Sequence, residues 1–348
     1  MVVGGGIIGL TSAFRLAVAG HHVTVFDPSP AKGATWAAAG MIAPSGEIAP
    51  GEEANYELEK QALHAWREVS GLLQELTGES LVFGETGTLL VGWDASDRRQ
   101  MAQFVEIAES FAAPMSTVTR NDSPEVFQGV SSRIASGVLM AGDAWMDPDQ
   151  AVRLLLAGLN SLGAEIVNEQ VVEVGSRDGE AIVATEAREY RGELGLIATG
   201  ASGLPRGATS ERHSVRPIRG ATVRVQGLDR SAQPSIRAFV RGRAFYMVSR
   251  PGGYCILGAS ADERADAVLE VGELQRLLRD GLDVIPELET AKVLETRIGL
   301  RPASPTLEPF FERLSLSGWA WSSGHYRHGV TLAPLAARSA LEFVENDS

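Results

Sequence analysis

Cysteine is almost missing from this chain: one residue, Cys255, among 348. A single thiol makes no intramolecular disulfide and no multi-thiolate metal site. It lies in Gly253-Tyr254-Cys255-Ile256-Leu257-Gly258, which reads as a strand, so a buried and unreactive thiol is expected. Metal-ligand spacing is missing among the six histidines as well: His21-His22 precede a strand, and no His-x-x-x-His occurs. No apolar run approaches the roughly 20 residues of a membrane span. The apolar N-terminus is broken by glycines and has no basic leader, so it does not read as a signal peptide. Positive charge is in deficit, with 31 Lys and Arg against 44 Asp and Glu and a formal net charge of −13. Such a field repels phosphate backbones and anionic headgroups, so neither nucleic acid nor a membrane is expected as a partner. A cytoplasmic location follows by default. Repeats and low-complexity segments are absent too.

What is present is ordinary globular composition, 44% apolar and 22% charged, over a length sufficient for two packed cores. The opening reads strand, glycine turn, helix (7–19) and strand (23–26), the last ending in Asp27. A loop rich in Ala and Gly covers 32–45. Residues 55–76 form an amphipathic helix with Leu58, Ala62, Leu63, Trp66, Val69 and Leu73 on one face. A strand is expected at 87–91 and a helix at 96–111. Asp147-Pro148-Asp149 opens a further helix over 151–162.

Short strands follow at 165–167, 171–174, 181–185 and 194–199. Strands at 222–225, 236–240, 245–248 and 254–257 alternate in an antiparallel manner. A helix at 271–284, a strand near 293–297 and a strand-glycine-helix unit over 314–344 complete the chain. Parallel-sheet signals fall at both ends and in the middle, with antiparallel signals between them. The expected class is therefore α/β with an α+β second domain, a Rossmann-like domain interleaved with an antiparallel-sheet domain.

Gly4-x-Gly6-x-x-Gly9 carries a mechanism. The first glycine makes a tight turn, the second admits a pyrophosphate against backbone, and the third lets helix pack on strand. The pyrophosphate then meets the helix N-terminus, whose free N–H groups favour an anion. Asp27, 18 residues after Gly9 at the end of the next strand, is placed to accept from ribose hydroxyls, or to act as a turn former before Pro28. The motif does not separate NAD from FAD. Only three residues precede Gly4, shorter than an ordinary central strand, so the native chain is expected to begin upstream of Met1.

Four further segments are specific: Ala34-Thr35-Trp36-Ala37-Ala38-Ala39-Gly40-Met41-Ile42-Ala43-Pro44, Val215-Arg216-Pro217-Ile218-Arg219-Gly220, Gly299-Leu300-Arg301-Pro302-Ala303-Ser304-Pro305 and the turn from Gly324 to Pro334. In that order they resemble the glycine oxidase and D-amino-acid oxidase family over nearly the whole chain. The resemblance implies FAD. It implies an FAD-binding domain from 1–45, 148–208 and 296–348, and a substrate domain from 46–147 and 209–295. It places at the cofactor Gly4, Gly6, Ile7, Ile8, Gly9, Asp27, Pro28, Ala34, Thr35, Ala39, Gly40, Met41, Val171 and Gly200. To these it adds His325, Tyr326, Arg327, His328, Gly329, Val330 and Thr331 of the last turn. Small residues at 37–40 let backbone amides approach the flavin ring, and the final helix points its N-terminus there. Val171 is expected against the adenine.

By the same resemblance Arg301 is the substrate residue, since a guanidinium holds a carboxylate with two parallel hydrogen bonds at any relevant pH. Arg327 resembles a second arginine near substrate and flavin, and Tyr246 a tyrosine whose hydroxyl reaches the substrate. The implied reaction is oxidative deamination of a small amino acid. The protein supplies position and electrostatics, FAD accepts the hydride, and dioxygen reoxidises it. The implied partners are the amino acid and dioxygen, with the imine handed to a thiazole synthase. A homo-oligomer is left open. Small Ala261 suggests substrates larger than glycine. Two alternatives stay open: a D-amino-acid dehydrogenase using a quinone, and a non-catalytic flavin- or nucleotide-binding protein.

Overall fold

The strand before the glycine turn has two residues, Val2–Val3, and it lies inside a six-stranded sheet. The computed structural model describes residues 1–347, the side chains of Glu53 and Asp347 excepted. The strand order is Phe310–Arg313, Trp319–Ser323, Gly195–Ile197, Val2–Val3, Thr24–Phe26 and Glu165–Val167. All neighbours run parallel except the first pair. Val2, Val3, Val25 and Phe26 are buried, as strands covered on both faces must be. The helix Ile7–Val18 buries Leu10, Phe14 and Ala17 and packs beside the last helix, Gly329–Asp347. Residues 24–26 lie on one side of Val2–Val3 and 195–197 on the other. The crevice beyond its carboxyl end is therefore a topological switch point, where open parallel sheets bind ligands.

A second, eight-stranded sheet runs Lys292–Ala303, Arg216–Gln226, Tyr254–Gly258, Arg243–Arg250, Ser235–Val240, Thr88–Gly92, Ser136–Met140 and Ser116–Thr119. It is antiparallel apart from Ser235–Val240 beside Thr88–Gly92, which is parallel. Those two strands are far apart in sequence, so no hairpin dictates their direction. The strands expected at 222–225 and 293–297 are parts of longer ones, paired from Arg216 against Ala303 to Gln226 against Lys292. A domain break at 296 thus falls inside one continuous strand. Its charged opening, Lys292 to Arg297, hid its continuity with Gly299-Leu300-Arg301. Two of the specific segments, 215–220 and 299–305, are direct neighbours here, with Ile218 opposite Arg301 and Gly220 opposite Gly299.

The loop expected over 32–45 contains a short helix, Ala34–Ala37, and a strand, Met41–Ile42. The long helix spans Glu53–Thr77 and ends at Gly78 in the left-handed conformation. Trp66 and Leu73 are fully buried, whereas Leu58 is exposed. Toward the start of this helix the buried positions are Glu52, Asn55, Tyr56 and Glu59. Cys255 is buried in Tyr254–Gly258 with its thiol pKa raised by burial, an inert position.

A cavity between the two sheets

A cavity of about 950 Å³ runs from the carboxyl end of Val2–Val3 to the eight-stranded sheet, at the upper end of the size range of small-molecule sites. Its first end is mostly backbone. Gly4, Gly6, Ile7 and Ile8 line it, and no side chain caps the helix at Gly6. With no acid in the first turn, the Gly6 and Ile8 amides meet no acceptor among the described residues and stay open to an anion. Gly9 does not line the cavity. A Cβ there would stand 1.9 Å from the Gly4 carbonyl oxygen, so its role is to let helix touch strand. Asp27 acts as the turn former before Pro28 and also faces the cavity. It borders the cavity with Pro28, and its carboxylate accepts from the Gly5 amide at 2.6 Å and the Ser29 amide at 2.8 Å. Val171 and Gly200 line the same end.

Farther along come Ala34, Thr35, Ala39, Gly40 and Met41, with His325, Tyr326, Arg327, Gly329 and Val330. The Ile7 amide donates to Thr35 Oγ1 at 2.9 Å, tying the helix start to this loop. Two residues expected at the cofactor lie behind the wall instead. Thr331 donates to the Met41 carbonyl at 3.1 Å, holding the last helix against the loop. His328 is buried away from the cavity among Glu47, Glu52 and Glu59, with Nδ1 2.7 Å from Glu59. A turn spaced to aim one residue inward necessarily aims another back toward the helix Glu53–Thr77.

The far end is built from side chains. Arg301, Tyr246, Arg237, Glu47 and Arg327 line it, with the methyl groups of Ala244, Ala259 and Ala261. Arg301 donates to the Ser260 carbonyl at 3.1 Å, and its guanidinium crosses Gly220, where a Cβ would stand 2.3 Å from it. That explains a glycine opposite Gly299 in the middle of a buried strand. Tyr246 lies against Gly258 in the same way, and burial raises its phenol pKa although the Arg301 charge pulls it down.

Of the three arginines lining the cavity, two are already paired. Arg237 meets Glu47 at 2.8 Å, and Arg327 reaches Glu52 through both terminal nitrogens, at 3.0 and 2.6 Å. Arg301 has no carboxylate partner among the described residues.

Arg237, Glu47 and Glu52 were not foreseen. Glu52, Asn55 and Glu59 continue the spacing of Ala62, Trp66, Val69 and Leu73, so polar residues on the buried stripe were the available signal. Burial would raise the Glu52 carboxyl, but hydrogen bonds and charge from His328 and Arg327 outweigh it and hold the pKa at about 2. Burial would lower His328, yet Glu52 and Glu59 lift it to about 9, so it is an imidazolium at neutral pH. Burial and the His328 charge push His325 down to about 4, leaving it neutral. The grouping of Glu47, Glu59 and His328 has ligand atoms close enough for a metal, but Arg237 already pairs with Glu47 and the imidazolium with Glu59.

A family model described as FAD dependent oxidoreductase, DAO, matches residues 1–342. The chain belongs to this family. FAD is its cofactor. The open helix start, the glycine turn and the cavity volume fit a dinucleotide of that kind. Among curated relatives, a glycine oxidase of Pseudomonas aeruginosa is 28% identical over 97% of this chain and 92% of its own length. The bifunctional protein ThiO/ThiG of Trichormus variabilis is 26% identical over 99% of this chain, which spans 52% of that longer protein. The crystal structure of glycine oxidase from Geobacillus kaustophilus superposes with a TM-score of 0.88 at 23% identity, over 99% of this chain and 94% of that one, a likeness of fold. Among the described residues no helix is long and apolar enough to cross a membrane.

Proposed function

We propose that this oxidoreductase deaminates glycine or another small amino acid, holding the substrate carboxylate on Arg301. The observation that carries this reading is the unpaired guanidinium of Arg301 at the end of a cofactor-sized cavity. A carboxylate there gains two charge-assisted hydrogen bonds, and Tyr246 offers a hydroxyl beside it. In this reading the dinucleotide end takes the pyrophosphate, and the flavin ring lies against Ala37–Met41. Bound FAD supplies hydride acceptance and, with dioxygen, forms hydrogen peroxide.

The chain's own groups then position rather than transfer protons. Glu47 is paired with Arg237, Arg327 with Glu52, and His325 is neutral, so the substrate amine enters deprotonated. The methyl-lined wall of Ala244, Ala259 and Ala261 supports substrates with a small substituent, such as sarcosine or a small D-amino acid. Delivery of the imine to a thiazole synthase is supported by the fused relative named ThiO/ThiG.

A peroxide-coupled panel of glycine, sarcosine, D-alanine and D-proline tests the reading. Turnover with peroxide formation is expected for at least glycine or sarcosine. Turnover seen only with an artificial dye and without peroxide would favour the dehydrogenase alternative.

A further inference from the structure

Side chains of the eight-stranded sheet hold every carbonyl in one short stretch of the cavity wall. Arg297 donates to the Trp36 carbonyl at 2.8 Å, and Arg224 donates to the same oxygen at 3.0 Å and to that of Ala38 at 3.5 Å. The Thr222 hydroxyl donates to Ala37 at 3.2 Å. Arg250 donates to Ala39 and, at 2.7 Å, to Met146. In a trans peptide the N–H of the following residue points opposite to the carbonyl. The amides of Ala39 and Gly40 therefore point away from the arginines, toward the cavity that both residues line. The Ala38 amide is spent on Thr35, whereas those of Ala39 and Gly40 meet no acceptor among the described residues.

The charge behind this wall is as informative as the hydrogen bonds. Arg250 is 4% exposed and has no carboxylate within ion-pair distance among the described residues. Two of its guanidinium nitrogens lack a hydrogen bond, and the guanidinium stacks 4.0 Å over Trp145. Burial draws its pKa down to about 10, so it remains a cation near neutrality. Arg224 is 2% exposed, with Glu295 at 3.6 Å. An uncompensated buried cation is costly, and the cost falls when negative charge develops across the wall.

We propose that Arg224 and Arg250 are positioning residues for the reactive ring of the cofactor: they fix residues 36–39 so that the Ala39 and Gly40 amides face the ring, and their charge favours its anionic reduced state. This rests on the reading that the ring lies against Ala37–Met41. Peptides polarised at their carbonyls by guanidinium are stronger donors at their amides. Fixed dipoles and charge aimed where negative charge develops are the usual form of electrostatic assistance.

The test is the flavin midpoint potential of purified holoenzyme, by dye equilibration, for wild type, Arg250→Met, Arg250→Lys and Arg224→Gln. Arg250→Met is expected to shift the reduction equilibrium at least tenfold toward oxidised flavin, about 30 mV for a two-electron couple. Arg250→Lys should recover most of that shift, and Arg224→Gln should move the potential in the same direction. A purely structural role would lower thermal stability and leave the potentials of flavin-loaded variants alike, which overturns the proposal. Should Arg250→Met fail to hold FAD, Arg224→Gln and Arg250→Lys decide by the same criterion. Ala38→Trp separates the underlying reading. If it binds FAD with an unchanged spectrum, the ring lies elsewhere and both readings fall. If it expels FAD while the arginine variants keep the wild-type potential, only this proposal falls.

Discussion

At the Gly4–Gly9 end the cavity wall is backbone and largely apolar side chains, with Lys32 and one carboxylate, Asp27, which accepts from the amides of Gly5 and Ser29. At the Arg301 end it is guanidinium, carboxylate and phenol, drawn from positions as far apart as Glu47 and Arg327. The first end tolerates no added volume at Gly4 or Gly9 and carries few charged side chains. The second depends on a balance of buried charges in which Arg301 alone among the lining arginines is left over. A backbone-built site is fragile to a methyl group and indifferent to pH, and a site built from ionised side chains is the reverse.

The largest effect should come from Gly9→Ala. The added Cβ would lie 1.9 Å from the Gly4 carbonyl oxygen, so helix and strand must separate. Overpacking of this kind costs about 3 kcal/mol or more. Thermal unfolding and FAD content should both fall; a variant that melts and binds FAD like wild type breaks the description of this end.

Arg301→Gln probes the other end. The variant should keep its FAD and lose about 3 kcal/mol of substrate stabilisation, a fall in kcat/KM of roughly 100-fold. Steady-state assays on flavin-loaded protein measure it.

His328 tests the charge balance through pH. Its folded pKa of about 9 lies above the ordinary 6.5, so its contribution is complete below pH 6.5 and is lost as pH rises through 9. At 1.36 kcal/mol per unit this is roughly 3 kcal/mol. Denaturant unfolding at intervals from pH 6 to 10 should show the decline in wild type and much less of it in His328→Gln. Equal slopes would mean that the imidazolium is not the balancing charge. The smallest effect is Tyr246→Phe, about 1 kcal/mol if its hydroxyl meets the substrate, seen as a several-fold rise in KM with FAD content unchanged.

Legibility in the sequence follows the same division. The glycine turn, its helix and Asp27 lie within 27 residues, and the parallel strands announce themselves by apolar runs, so this end could be read directly. The helix at 271–284 matches its expected bounds, and the one expected over 151–162 begins at Pro148, because a 3.6-residue period and an Asp-Pro start are local. Arg301 was found only through a resemblance. The reason it faces the cavity is Gly220, a neighbour across a strand pairing that no local pattern encodes. Glu47 and Arg237 went unnoticed because each is a lone charge in its segment and becomes meaningful only opposite the other. His328 was placed at the cofactor because proximity in a turn does not say which way a side chain points.

The most direct test of the account is anaerobic titration of the flavin-loaded protein with glycine or sarcosine, followed by flavin absorbance, for wild type and Arg301→Gln. Wild type should be bleached, and Arg301→Gln should need roughly 100-fold more substrate to reach the same bleaching. Equal bleaching of both proteins at the same substrate concentration would contradict it.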